Sequence, residues 1–248
     1  MDTRSERERQ FFDQPELGRE TLDSVYVVMS TSRDFFEGQI RARCPDVKVL
    51  ELGCGWGLSS VRFASWGAEA IGIDVSTTRI EWAKTRAGEQ SPGSASFLVM
   101  NAERLGFADD EFDVVCGQAV LHHLDLPRAF SEIVRVLKPE GAAIFVEPLG
   151  HNPLINLFRR VTPSLRTPDE RPLRMADVRI VRTFFHDVDI HFFYLAALLA
   201  VPFRRLSFFP VLVSRLNTLD RSVFAKAPRL GKYAWQLGIV LRNPKKMA

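Results

Sequence analysis

The sequence is poor in cysteine, and its three cysteines are not spaced as metal ligands. Cys44, Cys54 and Cys116 include no C-x-x-C pair, and no signal-peptide pattern precedes them. This spacing argues against a structural zinc site, so no metal is expected, and it favours a reducing, cytoplasmic compartment. We expect Cys54 and Cys116 to be small buried residues at strand ends, without a redox role.

The sequence also lacks an apolar run long enough to cross a bilayer, which takes roughly 20 residues. The apolar run at 192–203 has 12 residues, and the one at 208–213 has six. With 248 residues and 46% hydrophobic content, the chain can bury one substantial core. We therefore expect one elaborated domain.

A large net charge is missing as well, but the total of +3 conceals an uneven distribution. Residues 151–248 carry 17 Lys and Arg against 6 Asp and Glu, which is a net charge of +11, and the first 150 residues carry −8. Such asymmetry indicates an anionic partner for the basic half. Nucleic acid is disfavoured, because the basic residues alternate with long aliphatic runs rather than with exposed aromatics.

What the sequence does contain is an apolar run that ends in three glycines at alternate positions, Gly53, Gly55 and Gly57. Glycine permits a sharp strand-to-helix turn and close approach of the backbone to a ligand. Asp74 follows 21 residues after Gly53, at the end of a second apolar run. An acid in that position can accept hydrogen bonds from both hydroxyls of a ribose. The pattern indicates a nucleotide-like cofactor.

The spacing distinguishes between cofactors, because dinucleotide enzymes use G-x-G-x-x-G whereas this chain has G-x-G-x-G preceded by Glu51. In these residues it resembles the class I S-adenosylmethionine-dependent methyltransferases, the broad group that includes quinone and sterol methyltransferases. The resemblance covers five segments in order over residues 47–147. They are Glu51-Leu52-Gly53-Cys54-Gly55-Trp56-Gly57, Gly72-Ile73-Asp74-Val75-Ser76, Asn101-Ala102-Glu103, Phe112-Asp113-Val114-Val115 through Leu121-His122-His123-Leu124, and Leu137-Lys138-Pro139-Glu140-Gly141.

The resemblance implies a set of contacts to S-adenosylmethionine, with S-adenosylhomocysteine as the product. The glycine loop would lie along the methionine part, Asp74 would hold the ribose, and Asn101 and Ala102 would face the adenine. Asn101 departs from the family, which often has Asp there, but its side-chain oxygen can still accept from the adenine amino group. The residues expected to bind the cofactor are Glu51, Gly53, Cys54, Gly55, Gly57, Asp74, Val75, Asn101, Ala102, Glu103, Gly117 and His122.

Apolar runs alternate with helical patterns along the middle of the chain, which predicts a parallel sheet with helices on both faces. The predicted strands are 47–52, 69–73, 96–100, 112–116, 142–146, 187–193 and 233–242. The predicted helices are 58–66, 77–87, 127–137 and 175–185. The fold class is α/β: a Rossmann-like, seven-stranded, mostly parallel sheet whose last two strands would form the reversed hairpin at its edge.

We divide the chain into three parts. Residues 1–44 would form an N-terminal helical lid over the cofactor end, and residues 45–150 the cofactor-binding core. Residues 151–248 would complete the sheet and bind the substrate, with an apolar, basic, helical insertion at about 195–232 before the last strand.

Methyl transfer from a sulfonium needs alignment and exclusion of water, and acceptors that carry a proton also need a base. The candidates lie after the fourth and fifth strands, where ligands bind in such sheets. Glu147 ends the fifth strand and is expected to point at the acceptor, and His151 follows it. His123 is the third catalytic candidate, although in the family its segment usually shapes the cofactor pocket.

Candidate substrate contacts come from both ends of the chain. Arg159 and Arg166 could hold an anionic head group, since arginine forks suit phosphate and carboxylate. His186 and His191 flank the edge strand, and Tyr26 lies in the lid. A solvated helix face for the arginines and ordinary packing for the histidines are the alternatives.

Apolar stretches of the insertion are interleaved with cations: Arg204, Arg205, Arg215, Arg221, Lys226, Arg229 and Lys232. Such a segment could lie on an anionic membrane surface, where each cation adds about 1 kcal/mol. It could equally wall an apolar substrate pocket or form a dimer face. The sequence leaves these alternatives open, along with the choice between a monomer and a homodimer.

The predicted function is S-adenosylmethionine-dependent methyl transfer to a hydrophobic or amphipathic small molecule, such as a lipid, isoprenoid, quinone precursor or polyketide. Carbon, oxygen and nitrogen acceptors remain open. One alternative is a non-catalytic adaptor at a membrane or partner surface, which loss of Asp74 or of the glycines would have favoured. The other is an NAD-dependent oxidoreductase, against which the glycine spacing and Asn101-Ala102-Glu103 both argue.

Overall fold

A single mixed sheet organises the protein in the computed structural model. The structure describes residues 3–14, 28–90, 95–165, 167 and 169–246. The strands are β1 (Lys48–Leu52), β2 (Glu69–Asp74), β3 (Ala95–Val99), β4 (Phe112–Gln118), β5 (Leu137–Pro148), β6 (Phe185–Phe193) and β7 (Gln236–Pro244). Their order across the sheet is β3-β2-β1-β4-β5-β7-β6. β1 to β5 pair in parallel, and β7 runs antiparallel to both of its neighbours.

The helices are α1 (Thr3–Phe12), α2 (Ser30–Arg41), α3 (Leu58–Ser65), α4 (Thr77–Gln90), α5 (Leu126–Val136), α6 (Pro153–Val161), α7 (Met175–Phe184) and α8 (Phe209–Lys226). Side-chain caps fix two of the starts. Asp125 accepts from the amide of Arg128 at the start of α5, and Asn152 accepts from the amides of Leu154 and Ile155 at the start of α6. In both helices a proline follows the cap, where its missing N–H costs nothing.

The strands are apolar on both faces because helices cover both sides of the sheet. Leu50 and Leu52 point to the face that packs against Phe130 and Ile133 of α5. Val49 points to the opposite face, where Phe36, Ile40 and Phe63 of α2 and α3 cover it. The period of two along β1 therefore builds two cores from one strand.

Between β6 and β7 the chain forms the helical insertion: a 3₁₀ segment at Ala197–Phe203, then α8, then a second 3₁₀ segment at Pro228–Tyr233. Asp220 of α8 fastens the first segment, because its buried carboxylate accepts hydrogen bonds from the amides of Leu195, Ala196 and Ala197. The insertion is thus held to one arrangement rather than only tethered at its ends.

The predicted fold class is confirmed, with small shifts at the ends of most strands and larger ones in the last three. The last strand begins at Gln236 instead of 233, because the preceding residues form the 3₁₀ segment. The fifth strand runs from Leu137 to Pro148 rather than over 142–146, and the sixth begins at Phe185. Cys54 and Cys116 are buried, as expected. Among the helices of the described residues, none combines the length and the apolar content that spanning a bilayer requires.

Replacement of Gly57 by alanine tests the turn from β1 into α3. Gly57 has φ +71°, and a Cβ there would lie 2.6 Å from Cε1 of Phe97 and 2.8 Å from Cβ of Ala83. We expect Gly57→Ala to lower the free energy of unfolding by about 2 to 4 kcal/mol, through backbone strain and overpacking. Gly38→Ala is the control, since nothing lies within 4 Å of that position in α2. Urea unfolding measures both, and equal effects would contradict the assignment.

Candidate cofactor and acceptor site

A cavity of about 420 Å³ opens at the carboxyl ends of the parallel strands. Polar and backbone groups line one side, including Gly53, Asp74, Asn101 and Glu103. The other side is apolar, with Ile155, Phe158 and Trp235 among its residues. The cavity therefore joins a polar half above the glycine loop to an apolar half beneath α6.

Asp74 connects the glycine loop to the end of β2. Its Oδ2 accepts a hydrogen bond from the amide of Gly55 at 2.9 Å, and its Oδ1 accepts from the amide of Ser76 at 2.9 Å. Both oxygens retain acceptor capacity, since each carboxylate oxygen can take two hydrogen bonds. The side chain is nearly buried and lies at the cavity wall. It can hold the loop and accept from a ligand at the same time.

Glu51 lies behind the loop rather than in the cavity. Its carboxyl is fully buried and accepts a hydrogen bond from the hydroxyl of Ser60 in α3 at 2.5 Å. Burial raises the pKa of Glu51 to about 7, against the lowering effect of that hydrogen bond. Glu51 thus supports the turn from below.

At the end of β3, the side chain of Asn101 is held on both sides. Its Oδ1 accepts from the amide of Glu103 at 2.9 Å, and its Nδ2 donates to Ser5 of α1 at 3.0 Å. The amide oxygen can accept one further hydrogen bond. The expected contact to adenine can therefore be made alongside the contacts inside the protein.

Helix α1 covers the cavity and is fastened mainly by polar contacts around the rim. Arg4 pairs with Glu103, and Arg7 forms two hydrogen bonds to Asp169, at 2.7 and 2.9 Å. At its end, the guanidinium of Arg79 lies 4.4 Å from the ring centroid of Phe12. A lid held by ion pairs and a cation–π contact can open at lower cost than one buried in a core.

Glu147 organises the chain after β4. Its Oε1 accepts from the amides of Val120 and Leu121, both at 2.9 Å, and its Oε2 lies 2.7 Å from Nδ1 of His122. The residue is 0% exposed and is not part of the cavity wall. This corrects the expectation that Glu147 faces the acceptor. The Glu147 side chain faces backbone amides and His122, and of these two side chains it is His122 that lines the cavity.

His123 lies beside His122 and meets the lid. Its Nδ1 is 3.1 Å from Oε2 of Glu8, whose other oxygen accepts from the hydroxyl of Thr167 at 2.6 Å. Burial lowers the pKa of His123, but the nearby carboxylates, Glu8 above all, outweigh it and leave the pKa raised. Nδ1 of His123 and Oε2 of Glu8 lack hydrogen-bond geometry, so their contact is electrostatic.

The same cluster has the ligand types of a metal site. One nitrogen of each imidazole and one oxygen of Glu170 lie within 4.8 Å of one another. Glu170 is also paired with Arg159, at 2.6 Å. One oxygen of the Glu170 carboxylate is therefore already paired with a cation.

Several predicted residues lie away from the cavity. Nε2 of His151 accepts from the amide of Met175 at 3.2 Å, and the ring does not line the wall. His186 and His191 lie on β6, the edge strand, and His191 packs on Phe35. Tyr26 and Arg166 lie outside the described residues. Of the predicted substrate contacts among the described residues, only Arg159 lines the cavity.

The predicted cofactor residues divide between the wall and its support. Gly53, Asp74, Val75, Asn101, Ala102, Glu103 and His122 line the cavity, whereas Glu51, Cys54, Gly55, Gly57 and Gly117 do not. Gly117 supports the wall because its missing side chain lets its neighbours pack closely. A Cβ there would lie 2.7 Å from Cγ1 of Val120 and 2.9 Å from the carbonyl oxygen of Leu52.

Sequence reasoning missed Glu8, Thr167 and Glu170, which close the site from above. They lie far from the strand-end motifs along the chain, and contacts between Glu8 and Thr167 span 159 positions. The only signal was the charged run of α1, which suggests solvent exposure rather than a buried carboxylate.

Comparison with known proteins agrees with this architecture. Residues 50–145 match the family model described as a methyltransferase domain. The chain is 35% identical over 120 residues to the ubiquinone biosynthesis O-methyltransferase of Cereibacter sphaeroides, covering 48% of each protein. It is 32% identical over 123 residues to an uncharacterized methyltransferase of Bacillus subtilis, covering 49% of each. The chain thus spans about half the length of these curated relatives.

Solved structures share the fold over most of the chain. Phosphoethanolamine N-methyltransferase 2 of Haemonchus contortus, bound to phosphomonomethylethanolamine and S-adenosylhomocysteine, aligns with a TM-score of 0.68 at 17% identity, over 96% of this chain and 60% of that one. Geranyl diphosphate C-methyltransferase of Streptomyces coelicolor aligns with a TM-score of 0.62 at 16% identity, over 95% and 88%.

The titration of Glu51 gives a test of the loop's support. Its pKa is 4.5 when unfolded and about 7 when folded, so its contribution to stability is complete below pH 4.5 and is lost as pH rises through about 7. We expect Glu51→Gln to remove up to about 3 kcal/mol of this loss. Urea unfolding across that range compares it with Glu140→Gln, an exposed position. Parallel pH profiles for wild type and Glu51→Gln would contradict the assignment.

Proposed function

We propose that this chain, whose residues 50–145 match a methyltransferase domain, is a class I S-adenosylmethionine-dependent enzyme that transfers a methyl group to a hydrophobic or amphipathic small molecule. One observation carries the proposal: a single cavity is lined both by polar residues at the strand ends, which would suit a nucleoside, and by apolar residues of α6 with Trp235. The cofactor of the domain is S-adenosylmethionine.

The residues present fit that cofactor. Asp74 would accept from the ribose hydroxyls, and Asn101, with Ala102, would face the adenine. The bare backbone of Gly53 would lie along the methionine part. A side chain does not fit at this position, since a Cβ there would lie 2.7 Å from Cγ2 of Val120. When bound, the cofactor supplies an activated methyl group on a sulfonium.

The acceptor class follows from the rest of the cavity. Ile155, Phe158, Leu165 and Trp235 offer apolar surface, and Arg159 adds one cation at the same wall. Such a wall suits a molecule with an apolar body and a polar or anionic group. Relatives whose names include ubiquinone biosynthesis and geranyl diphosphate are consistent with this class.

His122 is the proposed proton acceptor when the acceptor atom carries a proton. A carboxyl oxygen of Glu147 lies 2.7 Å from Nδ1, which favours the tautomer that carries its proton on Nδ1. Nε2 is then left to accept a proton in the cavity. Glu147 is a positioning residue in this scheme, and His123 with Glu8 closes the wall beside it. His151 takes no part.

Helix α1 supplies the exclusion of water that methyl transfer needs. Its residues Ser5, Glu8, Phe11 and Phe12 line the cavity from above, so closure of the lid separates the reacting atoms from solvent. Because the contacts of Arg4 and Arg7 reach residues on two different loops, closure also brings Glu103 and Asp169 into fixed positions.

Asp74→Ala tests cofactor binding. We expect the dissociation constants of S-adenosylmethionine and S-adenosylhomocysteine to rise about a hundredfold, because two hydrogen bonds to a charged group are lost. Isothermal titration calorimetry measures both, with NAD as the ligand that should not bind. Asp125→Ala, outside the cavity wall, is the control, and circular dichroism checks folding. Wild-type binding to NAD alone would overturn the proposal.

Methyl-labelled cofactor added to an extract of the source cells tests the acceptor class. We expect label in organic-soluble products, and His122→Gln should lower its rate of appearance on the order of a hundredfold, with partial rescue by added imidazole. Glu147→Gln should lower the rate without changing the KM of the cofactor. His186→Gln, exposed on β6, is the control. Label confined to proteins or polar metabolites would contradict the proposed acceptor class.

A further inference from the structure

The turn between the first 3₁₀ segment and α8 carries an unusual density of exposed apolar side chains. Leu199, Phe203, Leu206, Phe208 and Val211 are 60%, 42%, 47%, 49% and 56% exposed. Together with Arg204, Arg205 and Arg215, which are also exposed, they form what we term the apolar–cationic surface.

This surface is rigid. Asp220 fixes the amides at the start of the 3₁₀ segment, and Leu198, Phe209 and Val213 pack beneath the turn in a buried cluster. The exposed side chains therefore stay on the outside, because the buried cluster already fills the space beneath them.

The composition of the surface indicates its partner. Contiguous exposed apolar side chains mark a contact with another molecule or with a membrane. Another copy of this chain or an apolar protein face would leave Arg204 and Arg205 next to buried apolar groups, where unpaired cations are costly. An anionic bilayer surface satisfies both kinds of side chain at once, because aromatic and aliphatic groups enter the acyl boundary while cations meet phosphates.

Helix α6 provides a second exposed apolar stripe. Leu154, Leu157 and Val161 are 56%, 58% and 68% exposed, and their spacing of three and four residues puts them on one side of the helix. On another side of the helix the buried Ile155 lines the cavity, and Phe158, which lies between the stripe and Ile155, lines it too. One helix therefore separates the acceptor half of the cavity from the outside with apolar residues on both sides.

The buried cluster beneath the surface also reaches the cavity. Ile155 and Trp235 belong to the same cluster as Leu198, Phe209 and Val213, and both line the cavity wall. The apolar end of the cavity and the exposed apolar surface are thus two sides of one packed layer.

From these placements we propose that the apolar–cationic surface docks on the surface of an anionic phospholipid bilayer, and that the stripe on α6 lies towards the same bilayer. Docking there would bring the apolar half of the cavity close to molecules dissolved in the membrane. The docking follows from the surface alone; the delivery of an acceptor rests on the proposed function.

Flotation of the full chain with vesicles tests the docking. We expect binding to vesicles of mixed phosphatidylglycerol and phosphatidylcholine that weakens at high salt, and weak binding to phosphatidylcholine alone at either salt concentration. Replacing Arg204 and Arg205 by Gln should weaken binding to the anionic vesicles on the order of tenfold or more. Gln at Arg104 and Arg128, exposed cations on other elements, should leave it unchanged.

A second pair of variants separates apolar contact from charge. Phe203→Ser with Phe208→Ser should abolish flotation while thermal unfolding stays unchanged, whereas Leu98→Ser on β3, at the opposite edge of the sheet, should still float. Asp74→Ala, which tests cofactor binding, should float like wild type. The docking is therefore tested independently of the proposed function.

Two outcomes would overturn the proposal. One is no flotation of the wild-type chain with anionic vesicles at low salt. The other is a dimer, seen by light scattering, that the Phe203 and Phe208 variants convert to monomer and that shields the surface from vesicles; the surface would then be an interface between copies.

Discussion

Buried carboxylates that accept hydrogen bonds from backbone amides hold the working edge of this protein in place. Asp74 joins the glycine loop to the end of β2, Glu147 joins the end of β4 to β5, and Asp220 joins α8 to the 3₁₀ segment. The amides that each one accepts from lie just beyond the end of a strand, where they lack partners in the sheet. Charge-assisted hydrogen bonds are strong in such partly dry places, so a few of them fix loops that apolar packing alone would leave free.

The same chemistry gives the site its division of labour. The carboxyl group of Glu147 accepts from two amides and contacts the imidazole of His122, and it does not line the cavity. Asp74 takes only one amide on each oxygen and keeps acceptor capacity towards the cavity. Each carboxylate accepts from two amides, but Glu147 takes both on one oxygen and places the other against an imidazole, whereas Asp74 takes one amide on each oxygen.

Over the cavity, the lid is built on a different principle from the core. α1 contributes no residue to the buried hydrophobic clusters of the described chain, and ion pairs with Glu103 and Asp169 hold it. The apolar half below depends on Ile155 and Trp235, which also belong to the layer under the exposed apolar side chains. The apolar residues and the lid held by ion pairs therefore belong to different parts of one cavity wall.

Local spacing in the sequence was enough to determine the sheet, the glycine loop and the position of Asp74 at its edge, because period and turn chemistry act over a few residues. It could not show that Glu147 turns away from the cavity, since that depends on amides 26 and 27 positions earlier. Nor could it place Glu8 beside His123, or His186 and His191 away from the cavity. Tertiary packing decided those outcomes, because the direction of a polar side chain depends on which donors and acceptors the fold places beside it.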